Sequence, residues 1–178
     1  MSKLIILRGN SGSGKTTVSK ILQEKFGRNT MLIAHDMVRR QILHAKDVEA
    51  LPLIMELLKY GRQNSDITIL EGIFPVETYM PLFELSVREY GRDIFAFYYD
   101  LPFEETLRRH ATKPNKDEFG EADMRRWWNE KDFVKIIPEK IITENVSISD
   151  TVEMIYNLVI QKSNMQEGQK WNTSTEKS

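Results

Sequence analysis

The chain contains no cysteine among its 178 residues, which excludes disulfides and thiolate metal sites together. Long apolar runs are missing too. Leu4–Leu7, ahead of Arg8, is too short for the core of a signal peptide, and no later stretch approaches the length of a membrane span. Nor does one sign of charge dominate: 25 Lys and Arg stand against 26 Asp and Glu, for a formal net charge of −1. That balance gives no pull toward nucleic acid or an anionic membrane. The histidines are His35, His44 and His110, and they lack the spacing of metal ligands. These absences lead to the expectation of a cytoplasmic protein with no membrane association. What is present is 40% hydrophobic residues, enough to fill the single core that a chain of this length suits.

One stretch organises the rest. Gly9-Asn10-Ser11-Gly12-Ser13-Gly14-Lys15-Thr16-Thr17 completes the pattern G-x-x-x-x-G-K-[ST], with a short apolar strand (Lys3–Arg8) before it and a helix (Thr17–Phe26) after it. Small residues let a backbone wrap closely around a phosphate, and the following helix adds the positive end of its dipole. Lys15 is then placed to reach the β- and γ-phosphates, and the Thr16 hydroxyl to ligate Mg²⁺. A dinucleotide fingerprint fails here, because Thr17 stands where its third glycine belongs. The expectation is a nucleoside triphosphate site taking ATP and Mg²⁺.

Further strands are expected at Thr30–Ala34, Asp66–Leu70, Asp93–Tyr99 and Glu139–Thr143. Between them run helices from about Met37 to His44, through Leu51–Leu58 with Gly61 as its stop, from about Met80 to Tyr90, from Phe103 to His110 and from Glu121 to Glu130. Pro75 and Pro81 are expected to delay the third of these, and a last helix spans Ser149–Gln161. Alternating strands and helices predict an α/β fold of three layers, a five-stranded mostly parallel sheet with helices on both faces. A small helical lid follows the fourth strand at about 108–130. The domain is expected to cover 1–162, and the polar residues 163–178 to form a disordered tail.

Ligands of such sheets sit at the carboxyl ends of the strands, which directs attention to Asp36, Glu71 and Asp100. Asp36 is the candidate general base, able to accept a proton from a hydroxyl and orient it in line. Arg39 shares its helical face and could hold an anionic group of the acceptor; a simple helix N-cap is the alternative for Asp36. Glu71 could reach the metal directly or through water, or hold the acceptor. The cations Arg108, Arg109, Lys113, Lys116, Arg125 and Arg126 crowd the lid, where they could cover the migrating phosphoryl group. Ordinary surface ion pairs would also explain each of them singly. Trp127 and Trp128 point about 100° apart on a helix, so at most one could stack on adenine. Asn115-Lys116-Asp117-Glu118 imitates a guanine-reading motif, but glutamate closes it and no strand precedes it.

Taken together, Gly9–Thr17, His35-Asp36-Met37-Val38-Arg39, Leu70-Glu71-Gly72, and Tyr99-Asp100-Leu101-Pro102 with Thr106-Leu107-Arg108-Arg109-His110 resemble the small P-loop kinases. That group includes polynucleotide 5′-hydroxyl kinases, chloramphenicol phosphotransferase and zeta-toxin kinases. The resemblance implies the P-loop NTPase fold, Asp36 as base, Arg39 as acceptor-binding arginine, and Arg109 with the residue four later as lid cations. Lys113 stands where arginine is usual, which weakens a bidentate phosphate clamp. The function so implied is an ATP-dependent kinase that phosphorylates a hydroxyl of a small molecule such as a nucleoside, sugar nucleotide or antibiotic-like compound. A polynucleotide kinase is disfavoured by the balanced charge. A toxin or nucleotide-sensing module acting with a protein partner is the remaining alternative.

Overall fold

The structure, a computed structural model, describes residues 2–112, 117 and 119–175, and the backbone alone of Asp47 and of residues 163–175. Strands β1 (Lys3–Gly9), β2 (Thr30–Ala34), β3 (Ile67–Gly72), β4 (Ile94–Tyr99) and β5 (Glu139–Ile142) form one sheet in the order β2-β3-β1-β4-β5. Every pairing is parallel. The helices are α1 (Lys15–Phe26), α2 (Asp47–Asn64), α3 (Val76–Tyr90), α4 (Phe103–His110), α5 (Glu121–Arg126) and α6 (Ile148–Thr175).

The apolar run in β1 explains the layering. Leu4 and Ile6 point into one core with Ile54 and Leu58 of α2 and Leu82 and Phe83 of α3. Ile5 and Leu7, one residue out of step, point into a second core with Val18 and Leu22 of α1 and Val152, Ile155 and Val159 of α6. Burying each such side chain contributes about 1.5–3 kcal/mol, so a central strand apolar at every position is the natural choice here. The sheet order reverses beside β1, and the carboxyl ends of β1, β2 and β3 open there into one cleft.

Several boundaries differ from expectation, each for a physical reason. Gly61 does not stop α2 but lies inside it, where a Cβ would come 2.4 Å from Thr68 Oγ1. The glycine lets the helix approach β3 closely. Pro75 and Pro81 do not delay α3: Pro75 caps it at Val76, and Pro81 lies inside. Pro81 and Pro52 of α2 are both exposed, on the outer faces of their helices, where a missing N–H costs least. The lid helix α5 ends at Arg126 rather than Glu130, and an irregular strap follows to β5. At the other end α6 continues to Thr175, through the segment expected as a disordered tail. That segment has no proline and carries Met165, Gln166, Glu167, Gln169 and Lys170, residues that propagate a helix once it is nucleated. Among the described residues no helix is long and apolar enough to cross a membrane.

Candidate active site

Between the end of β1 and the start of α1 the chain turns through Asn10–Gly14. Gly12 and Gly14 hold left-handed backbone, with φ of 84° and 97°. Gly12 also lies beneath α4, where a Cβ would stand 2.5 Å from the Thr106 carbonyl oxygen. Only glycine meets both demands. The loop leads straight into the N-terminus of the 12-residue α1, the positive end of its dipole. Lys15 is buried and lies across the loop, its ammonium donating to the Asn10 carbonyl at 2.8 Å and the Ser13 hydroxyl at 3.0 Å. The Thr16 hydroxyl donates to Glu71 Oε1 at 3.2 Å, so the two residues read separately as metal-side groups are neighbours. A hydroxyl beside a carboxylate is a hard-oxygen pair, suited to Mg²⁺, which keeps waters and takes its other ligands from phosphates.

Asp36 lies two residues past β2. Its backbone is helical (φ −63°, ψ −33°) and its side chain makes no capping hydrogen bond, so the structure does not support the N-cap alternative. The turn expected to be α-helical, Met37–Ile42, is wound more widely as a π-helix. Arg39 and Arg40 both reach the carboxylate from it: Arg39 Nη2 lies 3.1 Å and Arg40 Nε 3.7 Å from Asp36 Oδ1. Desolvation works to raise the Asp36 pKa, but the Arg39 hydrogen bond and the charges of Arg40, Arg39 and His35 outweigh it and hold the carboxyl below its ordinary range. Although the Asp36 side chain is 72% exposed, desolvation is the largest single influence on it, and only the cationic neighbours acting together reverse its direction. His35 Nε2 lies 2.7 Å from the buried Tyr79 hydroxyl, and its ring packs against Phe74.

Two cavities meet at this carboxylate. One, of about 90 Å³, lies between the loop Ser11–Thr17, Glu71 and Asp36. The other, of about 330 Å³, opens beside it among Arg39, Arg40, Phe119, Arg126 and Trp127. Asp36 lines both, with Ser11, His35 and Ile73.

The lid residues divide between several tasks. Arg109 donates from Nη1 to the Ser13 carbonyl at 3.0 Å and from Nε to Glu105 at 2.6 Å, which lays its guanidinium along the phosphate loop. Hydrogen bonds from Arg108 and Arg109 bring the Glu105 carboxyl down to about 2. Arg126 faces the larger cavity while paired with Asp123 at 2.8 Å. Arg125 pairs with Glu121 at 2.8 Å and lies 4.3 Å from the centre of the Phe103 ring. The two adjacent lid arginines therefore point to different surroundings, as neighbours on a helix must. The tryptophans diverge likewise: Trp127 lines the larger cavity, and Trp128 packs edge-on to Phe103 beside a separate cavity of about 480 Å³. Lys113 and Lys116 lie outside the described residues.

Sequence reasoning missed Arg40, Phe119 and Asn129 as cavity residues. Arg40 had a signal, since a turn wide enough to bring i+3 onto Asp36 brings i+4 as well. Asn129 had none. Tyr99 was missed too; its buried hydroxyl lacks a hydrogen-bond partner among the described residues. Burial, reinforced by the Glu71 charge and opposed by Arg109, drives that phenol far above its usual range and keeps it neutral.

A phosphate loop at the reversal point of a parallel β2-β3-β1-β4-β5 sheet, with a helical lid after β4, defines the P-loop kinase fold. Residues 2–70 match the family model described as zeta toxin, which bears out the resemblance over the part that holds the loop, Asp36 and Arg39. No curated protein matches the chain in sequence. Among solved structures, the Mycobacterium tuberculosis APS kinase CysC in complex with AMPPNP and APS is similar at a TM-score of 0.66 and 18% identity, covering 89% of this chain and 97% of that one. A gluconokinase from Sinorhizobium meliloti 1021 gives 0.61 at 12% identity over 94% and 97% of the two chains. The tunicamycin resistance protein of Deinococcus radiodurans gives 0.61 at 16% identity over 89% and 96%. At these identities the likeness is one of fold.

Proposed function

We propose that the chain is an ATP-dependent phosphotransferase that moves the γ-phosphate onto a hydroxyl of a small molecule. One observation carries this reading: Asp36 stands on the boundary between the phosphate-loop cavity and the larger one, which is where an acceptor hydroxyl must meet the phosphate. The kinases among the similar folds, with AMPPNP and APS named for one of them, agree with it.

In this reading the loop Gly9–Thr17 and Lys15 bind the triphosphate, and Arg109 steadies it from the lid. Thr16 and Glu71 hold Mg²⁺, which when bound neutralises charge on the phosphate oxygens. Asp36 receives the acceptor hydroxyl and takes its proton as the bond to phosphorus forms. A carboxylate with a lowered pKa is a weak base, so its main contribution is orientation, and the proton moves late. Arg39, Arg40 and Arg126 bring positive charge to the acceptor cavity, and Trp127 with Phe119 gives it an apolar wall. At about 330 Å³ it falls at the small end of ligand pockets, in keeping with a small acceptor over a polynucleotide.

The test is ADP release from MgATP across a panel of nucleosides, sugar nucleotides, sugars and hydroxylated antibiotics. One class of acceptor should accelerate release well above the rate with ATP alone. If no acceptor does so while ATP binds, the kinase reading is wrong.

A further inference from the structure

Arg8 is a fully buried charge just before the phosphate loop, and the proposed transfer makes no use of it. Its guanidinium joins segments that are far apart in sequence. Nη1 donates to the Phe74 carbonyl at 2.5 Å and lies 3.4 Å from Asp132 Oδ2. Nη2 donates to the Asp132 carbonyl. Nε donates to Glu139 Oε1 at 2.9 Å, where β5 begins. Asp132 closes the circuit: the same Oδ2 accepts the Val76 N–H at 2.9 Å, and the Asp132 N–H donates to the Tyr98 hydroxyl at 3.2 Å.

The segments so joined are two walls of the larger cavity. Ile73 and Pro75, on either side of Phe74, line it from the loop after β3; Trp127 and Asn129 line it from the strap that leads to Asp132. Each wall contains a non-glycine residue in left-handed backbone, Phe74 with φ 44° and Lys131 with φ 48°. Side chains disfavour that region, and such residues persist where their surroundings over-determine them. At both places Arg8 takes a carbonyl, that of Phe74 itself and that of Asp132 immediately after Lys131. The strap has a second anchor at the phosphate loop, where the Asn10 side chain donates to the Asn129 carbonyl at 2.7 Å and accepts its N–H at 2.9 Å.

We infer that Arg8 and Asp132 are positioning residues: the buried Arg8 guanidinium, held from β5 by Glu139, and the partly buried Asp132 carboxylate set the spacing between the two walls of the acceptor cavity. The inference rests on the larger cavity being the acceptor site, as proposed above. A buried charge such as that of Arg8 adds little net stability compared with well-packed apolar groups, and the role inferred for it is to hold one arrangement of the segments it joins. Through β1 the same residue ties that spacing to the strand that opens into the phosphate loop.

Asp132→Asn tests this, because it keeps the side chain's size and an acceptor for Val76 N–H, leaves Glu139 to balance the charge of Arg8, and removes only the charge that the strap presents to Arg8. Hydrogen exchange read by mass spectrometry should rise in 73–76 and in 127–133 together, with 9–17 unchanged. For whichever acceptor the panel identifies, KM should rise about tenfold or more while ATP affinity stays within about twofold. Tyr98→Phe, which removes two neutral hydrogen bonds (from the Asp132 N–H and to the Asn129 carbonyl) and leaves the ion pair, should raise exchange only around 129–132. Faster exchange confined to the strap, no change in exchange, or acceptor KM and ATP affinity weakening in parallel would each overturn the inference. The exchange measurement needs no acceptor, so it decides the coupling of the walls even if the kinase reading fails.

Discussion

The phosphate-loop side of the cleft and the side proposed to take the acceptor are built by different means. On the phosphate side, one contiguous stretch shapes a cavity from backbone, and its side chains do little more than complete it. On the acceptor side, Arg39, Ile73, Phe119, Arg126 and Trp127 come from four segments and meet only because the π-helical turn, the lid and the strap carry them there. A backbone-built site is sensitive to a single added methyl group. A side-chain-built site tolerates changes within its parts but depends on the spacing between them.

Lys15→Ala should give the largest effect on nucleotide binding and confine it to one side. Removing a buried, charge-assisted donor is expected to weaken ATP binding by about 10- to 100-fold, as calorimetry would read it, with exchange in 127–133 unaltered. Unchanged ATP affinity would break the division between the two sides.

Gly12→Ala sharpens the claim that the loop is limited by its backbone. It places a Cβ at φ 84° and 2.5 Å from the Thr106 carbonyl, so a loss of about 2–3 kcal/mol and a fall in Tm of about 5–10 °C are expected. Gly14→Ala is the companion: its backbone is left-handed (φ 97°, ψ 1°) but an added Cβ meets only Arg109 Nη1 at 3.8 Å, and only the conformational cost of about 1 kcal/mol should appear. Equal losses in the two variants would mean that α4 does not press on the loop.

The smallest effect is expected from Arg39→Gln, read in the pH dependence of kcat/KM. Arg39 and Arg40 lower the Asp36 pKa, so the ionised form persists as pH falls and is lost only on passing below the ordinary carboxylate value of 3.8. Without the Arg39 hydrogen bond the pKa rises, and the acid limb should move to higher pH by less than about one unit. An unmoved limb would show that Asp36 does not set it.

The same contrast explains what could be read from sequence. Gly9–Thr16 was legible because its chemistry needs those residue types in unbroken order. The placing of Asp36 and Glu71 at one edge was legible because parallel strands bring the residues at their carboxyl ends together there, Glu71 within the end of β3 and Asp36 two residues past β2. The outer helices were harder: Pro81 and Gly61 look like breaks, yet one faces water and the other accommodates Thr68. The Arg8–Asp132 pair joins residues far apart in the chain, and no local pattern announces it. A charge closing an apolar strand was the one sign that Arg8 needed buried partners. Arg125 and Arg126 look alike in sequence, and only the direction of each side chain separates the one at the cavity from the one over Phe103.

The central claim is that Asp36 prepares the acceptor and does not bind the nucleotide. Single-turnover transfer by Asp36→Asn at saturating MgATP, with ATP affinity measured on the same preparation, tests it most directly. Transfer should fall by about 10²- to 10⁴-fold while ATP affinity stays within about twofold of the parent protein. Transfer at the parent rate would contradict the account, and so would a loss explained entirely by weaker ATP binding.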